Sequence, residues 1–253
     1  MKNLNKIIVL TALGSLSGIQ AAQATSTYQS NSNVTITINN ITNNTNAGDL
    51  SGLDIYGLFE FDNENSYKII TGTGDSTQNL IGGELFSFDT ASNADNSFSQ
   101  NFSSFGQSIN GHVESAYHSL GGVEFINISN DSFSIALSID YSLESHVTGA
   151  TARNSVAIEY GNILTDIDFI DWYSDDDSYE AISNTATPLA DPDSFSSSAS
   201  FTIDLNALES NLFYADVSIN GYTKAVSAVP VPAAGWLLLS GLGFLGRFRS
   251  SAT

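Results

Sequence analysis

Cysteine is absent from this chain of 253 residues. Its absence removes disulfides, thiolate nucleophiles and cysteine-ligated zinc or iron–sulfur sites. An oxidising destination stays open, because a domain with a large enough core folds without cross-links. Basic residues are also scarce: seven Lys and Arg stand against 27 Asp and Glu, for a net charge of −20. Lys2, Lys6, Arg247 and Arg249 flank a middle that keeps only Lys68, Arg153 and Lys224, while every acidic residue falls between Asp49 and Asp216. A body this acidic repels phosphate backbones and anionic lipid, which excludes nucleic acid as a partner. Sustained helical periodicity is missing from the middle as well. Apolar material is not, since 42% of the residues are hydrophobic. That is enough for a sizeable core and argues against wholesale disorder.

What fills the middle is alternation with a period of two. Val34, Ile36 and Ile38 alternate with threonines, as in a half-buried strand. The longest set is Phe133, Ile135, Leu137, Ile139, Tyr141 and Leu143, separated mostly by Ser, Asp and Ala. Val156, Ile158 and Tyr160 repeat the pattern, as do Ala199 to Leu205 and Phe213 to Ile219. Ile55, Gly57, Phe59 and Phe61 form a weaker set, as do Ile109, Gly111, Val113, Ser115 and Tyr117. Strands with one wet face pair antiparallel. Polar clusters at Asn39–Gly48, Asp62–Ser66, Gly72–Ser76, Ala91–Ser97 and Asn127–Asp131 predict the turns between them. Ser183–Ser198, with Pro188 and Pro192, predicts a long surface loop. The expected fold class is therefore all-β, an antiparallel β-sandwich, of which the jelly roll is one form.

The flanks carry a different grammar. Lys2 and Lys6 precede the apolar run Ile7–Leu13, and Ala22-Gln23-Ala24 is an A-x-A site. Residues 1–24 thus predict a secretory signal peptide cut after Ala24, with Ala22 and Ala24 as the small residues at the cleavage site. Toward the other end stand Val229, Pro230, Val231, Pro232 and Ala233. An uncharged apolar stretch to Gly246 follows, and then Arg247 and Arg249. Two prolines two apart force a helix to begin at or after them. The apolar stretch is at the short limit for crossing a bilayer, and its arginines favour the cytoplasmic side. The expected organisation is signal peptide 1–24, an acidic β domain 25–226, and a tail 227–253.

That tail resembles the PEP-CTERM class of sorting signals of Gram-negative bacteria, and most of all its VPLPA-type variant. The class combines a Val-Pro-x-Pro motif, one transmembrane helix and an arginine-rich end. Residues 229–249 carry those parts in that order, with Val231 where the variant usually has leucine. The resemblance implies recognition by an exosortase, a membrane-embedded transpeptidase-like enzyme. It also implies an exported protein of the cell surface or extracellular matrix, tied to exopolysaccharide or biofilm.

Chemistry in the middle centres on one acidic segment. Asp166, Asp168, Asp171, Asp175, Asp176 and Asp177 cluster between Asp166 and Glu180. Calcium takes six to eight oxygens, mostly from carboxylates and carbonyls. The segment has no EF-hand glycine or closing glutamate, so a calcium site and a solvated acidic loop both stay open. Trp172 and Tyr173 beside those carboxylates suit a sugar platform as well as the cap of a core. His112, His118 and His146 match no metal spacing, and no G-x-S-x-G elbow frames a serine. Gly72-Thr73-Gly74 and Gly121-Gly122 predict turns. The leading expectation is a non-enzymatic surface or matrix protein. A calcium-assisted carbohydrate-binding module that meets extracellular polysaccharide comes second, and a secreted hydrolase third.

Overall fold

A computed structural model of the chain describes residues 25–82, 86–87, 96–149, 151–166, 177–186 and 193–225, and Thr25–Ala225 makes one compact unit. The described residues are nearly all strand and contain no helix. The strands are β1 (Ser26–Asn43), β2 (Leu53–Ile81), β3 (Phe86–Ser87), β4 (Asn96–Asn127), β5 (Phe133–Thr148), β6 (Ala152–Asp166), β7 (Asp177–Ala186), β8 (Asp193–Leu205) and β9 (Glu209–Ala225). Every pairing among them is antiparallel, as strands with one wet face require.

The fold turns on β4. Along one edge β4 pairs β2, from Leu53 opposite Asn127 to Ile81 opposite Asn101. Along the other edge its first half pairs β1 and its second half pairs β9. Beyond β1 lie β5 and β8, and beyond β9 lie β6 and β7. A single antiparallel sheet is thereby curled over so that β1 and β5 meet β6 and β9 face to face, a sandwich-like arrangement around one core. The curl is made where Gly72 stands opposite Gly111. Their φ angles are 79° and 104°, and a Cβ on either would run into a carbonyl oxygen of the facing strand, at Asn110 or Thr71. Only glycine tolerates both conditions. The register also slips between Thr73 and Gly74, opposite Asn110 and Ser108, and such a slip adds bend to a ribbon.

The interior has two chemistries. One part is a continuous apolar cluster that includes Val34, Ile36, Phe125, Phe133, Ile135, Leu137, Ile139 and Phe213. Burying each such side chain contributes about 1.5–3 kcal/mol. The other part is buried and polar: Ser30, Ser32, Gln100, Ser104, Ser115, Asn154 and Thr223 are all at most 3% exposed. Tyr28 is its centre. Its hydroxyl bonds Ser76 Oγ at 2.7 Å and also meets Ser115, and Ser76 Oγ bonds Tyr117 at 2.8 Å. The Tyr28 ring lies against Gly106 and Gly221, where any Cβ would collide with it.

The alternating sets face the core as expected. In β5 all six positions from Phe133 to Leu143 point inward. Three expectations about turns are corrected. Asp62–Ser66 is a bulge within β2, not a turn: Asp62 Oδ1 accepts the Glu64 and Asn65 N–H groups at 2.9 and 3.1 Å, and the strand resumes at Tyr67. An Asx side chain can satisfy the backbone locally without ending the strand. Gly72–Ser76 and Gly121-Gly122 are likewise strand, the first at the bend and the second inside β4. The expected loop 183–198 is strand at both ends, with 183–186 in β7 and 193–198 in β8. By contrast, Asn127–Asp131 does turn the chain, with Asn127 Oδ1 accepting from Ser129 N at 2.9 Å.

Candidate functional site

A groove of about 690 Å³ lies across the outward face of β2, β4, β9 and β6. Cross-strand register builds it in three rows. Tyr56 faces Glu124, which faces Leu212, which faces Ile163. Leu58 faces Gly122, and Gly122 faces Tyr214, with Gly161 beyond. Asp216 faces Glu159. The glycines hollow the middle: a Cβ on Gly122 would press on the Phe213 carbonyl, and one on Gly121 would strike the Phe59 ring below. Apolar side chains that ought to be covered remain in the open here, with Tyr56 38%, Leu58 37% and Leu120 38% exposed. Grooves of this size with an apolar lining and a few placed polar groups are the usual form of a ligand site.

The charged groups are all acids. Asp216 accepts the Gly121 N–H at 3.3 Å, at a place where β4 and β9 are not ladder-paired. Burial above all, opposed by the Gly121 N–H and aided by the like charges of Glu159 and Asp62, pushes its carboxyl up from 3.8 to about 6. A second hollow continues past it, lined by Asp62, His118 and Ser218 and sharing Glu159 and Asp216 with the first. Asp62 itself is held below the usual carboxylate range by Asn65 and its neighbours' N–H groups.

Cations sit elsewhere. Among the described residues one ion pair forms, Lys68 with Asp75 at 3.7 Å between exposed side chains. Arg153 lies over the Tyr222 ring at 5.0 Å, and Lys224 pairs across from His112. All three are toward the bend, on the order of 30–40 Å along the strands from Glu124 at 3.3 Å per residue. Glu124, Glu159 and Asp216 therefore have no cation partner among the described residues. Nor do three His, Asp or Glu come together there as a metal-binding group.

The acidic segment singled out in the sequence lies mostly outside the described residues: Asp166 closes β6 and Asp177 opens β7, while Asp168, Asp171, Asp175, Asp176, Trp172 and Tyr173 fall between. The cleavage residues Ala22 and Ala24, the motif Val229–Ala233, the expected transmembrane stretch and Arg247 and Arg249 also lie outside them. His112 and His118 face outward, His112 bonding Thr71 Oγ1 at 2.7 Å and His118 donating its N–H to Ser66 Oγ at 3.0 Å. Sequence reasoning missed the groove because its members are cross-strand neighbours far apart in the chain. One signal was available: Leu212-Phe213-Tyr214-Ala215 is apolar on both faces of its strand, which departs from the alternation around it. No protein-family model matches the chain, and no curated protein matches it.

Proposed function

We propose that this chain is an exported protein of the cell surface or extracellular matrix of a Gram-negative bacterium, with a structural rather than catalytic role, delivered through an exosortase-type sorting system. One observation carries the proposal: Val229-Pro230-Val231-Pro232-Ala233, an uncharged apolar stretch and Arg247 with Arg249 follow one another in the order of a PEP-CTERM-type signal. The signal-peptide pattern at Met1–Ala24 supports the same route. So does the character of the domain between them, an acidic all-β unit without cysteine. As the finer reading of its fold we take a two-layer β-sandwich, supported by the packing of β1 and β5 on β6 and β9.

In the proposed route the apolar stretch enters the bilayer as a helix with its arginines on the cytoplasmic side, and the paired prolines stand outside it where an enzyme can reach them. The test is deletion of Val229–Thr253 in the native host, followed by fractionation into envelope and medium. The truncated protein should leave the envelope and accumulate in the medium. An unchanged distribution overturns the proposal.

A further inference from the structure

We propose that the groove between Tyr56 and Glu159 binds a linear glycan that carries free amino groups. The argument begins with what the groove lacks. Its three carboxylates have no cation partner among the described residues, and the three basic side chains of the domain stand toward the bend. Bringing further negative charge into it is unfavourable, so polymers of uronic acids, sulfates or phosphates are disfavoured. A single divalent ion is not what the carboxylates await, because no three acids of the described face gather around one point. They are distributed instead, Glu124 in the row of Tyr56 and Glu159 with Asp216 two rows away. Charges spaced along a channel match a ligand whose positive groups repeat.

The ligand must also cover apolar surface. Tyr56, Leu58 and Leu120 lie open beside the acids. Sugar rings offer the matching combination: an apolar face for the tyrosine ring and leucines, hydroxyl donors for carboxylates, and ammonium groups that attract both carboxylates and the face of Tyr56. A basic peptide with apolar side chains shares part of that chemistry. It usually gains affinity by adding to a free strand edge. Within the floor β2, β4, β9 and β6 are already paired with one another, so a peptide finds no free edge between them and would meet one only at the outer rim of β2, beyond its short pairing with β3. The gap in the ladder near Gly121 is taken up by Asp216.

Titration calorimetry on the full chain tests the inference with four probes: a β-1,4-linked glucosamine hexamer, the same hexamer fully N-acetylated, a polygalacturonate oligomer, and a leucine–lysine peptide. The glucosamine hexamer should bind about tenfold more tightly than its N-acetylated form, the scale of two partly exposed charge pairs, and the polygalacturonate should not bind. Glu124→Gln with Glu159→Gln keeps shape and removes charge. The pair should erase the preference for the free amine, bringing the two hexamers to the same affinity. Tyr56→Ala should weaken both hexamers. No binding of the glucosamine hexamer, the same preference in the double variant, or tighter binding of the peptide would each overturn the inference. These readouts concern the purified chain, so their failure leaves the delivery proposal standing, and loss of delivery leaves the groove untouched.

Discussion

The two ends of the core share one geometry and differ in what holds them. Strand β1 passes through both. Its inward residues run Ser26, Tyr28, Ser30 and Ser32, and then Val34, Ile36 and Ile38, all at most 3% exposed. At the Val34 end, stabilisation comes from apolar area and close packing against Phe133, Ile135 and Phe213. At the Tyr28 end small side chains and glycines let the layers approach, and hydroxyls bond to one another around a single large ring. That second solution is incompletely satisfied: Ser30 Oγ, Ser32 Oγ, Gln100 Nε2, Asn154 Oδ1 and Thr223 Oγ1 make no hydrogen bond. Each such atom costs about 1–3 kcal/mol of desolvation. Burial alone therefore does not identify what stabilises a region.

The comparison can be broken most forcefully from the apolar side. Phe133→Ala removes a fully buried ring beside Ile135 and Leu205, and the cavity should lower unfolding free energy by about 3–5 kcal/mol in denaturant titration. Next in size is a pH effect above the same end. In the folded protein Asp216 titrates near 6 against an ordinary 3.8, so the native state holds the extra proton between those values. Stability from this group is present below about pH 4 and is lost as pH rises through 6, by ~2–3 kcal/mol. Asp216→Asn, which can still accept the Gly121 N–H, should unfold later than the parent at pH 7 and lose that advantage by pH 4. Equal differences at both pH values would deny the buried carboxylate this role. The smallest effect belongs to the polar end. Ser30→Ala deletes a buried hydroxyl with no partner and should raise stability by about 1 kcal/mol. A loss as large as that of Phe133→Ala would mean that the two ends are held alike.

Much of the fold was legible because a strand with one wet face writes its orientation into alternate residues. The Phe133–Leu143 set became β5, and the Phe213–Ile219 set became the inward face of β9. Legibility failed where one residue changed the phase. At Asn39 a bulge shifts the register opposite β5, so that Ile41 faces inward after Ile38, three positions on. Asp62 ends an alternating run in the sequence yet only kinks the strand, because its carboxylate takes up the N–H groups that a turn would have used. The groove escaped for a different reason. Tyr56 and Glu124 are adjacent across β2 and β4 but 68 positions apart in the chain. Nothing local in the sequence announces such a pairing; it exists only once the register is set.

The opposed glycines at 72 and 111 make one hairpin a member of both layers. In consequence the domain has no seam. A fragment boundary drawn within Leu53–Ile81 or Asn96–Asn127 would sever a strand that both layers need for their ladders, and neither half would keep a complete edge. The smallest foldable piece of this architecture is thus the whole of Thr25–Ala225, and insertions or cuts are best borne outside that span.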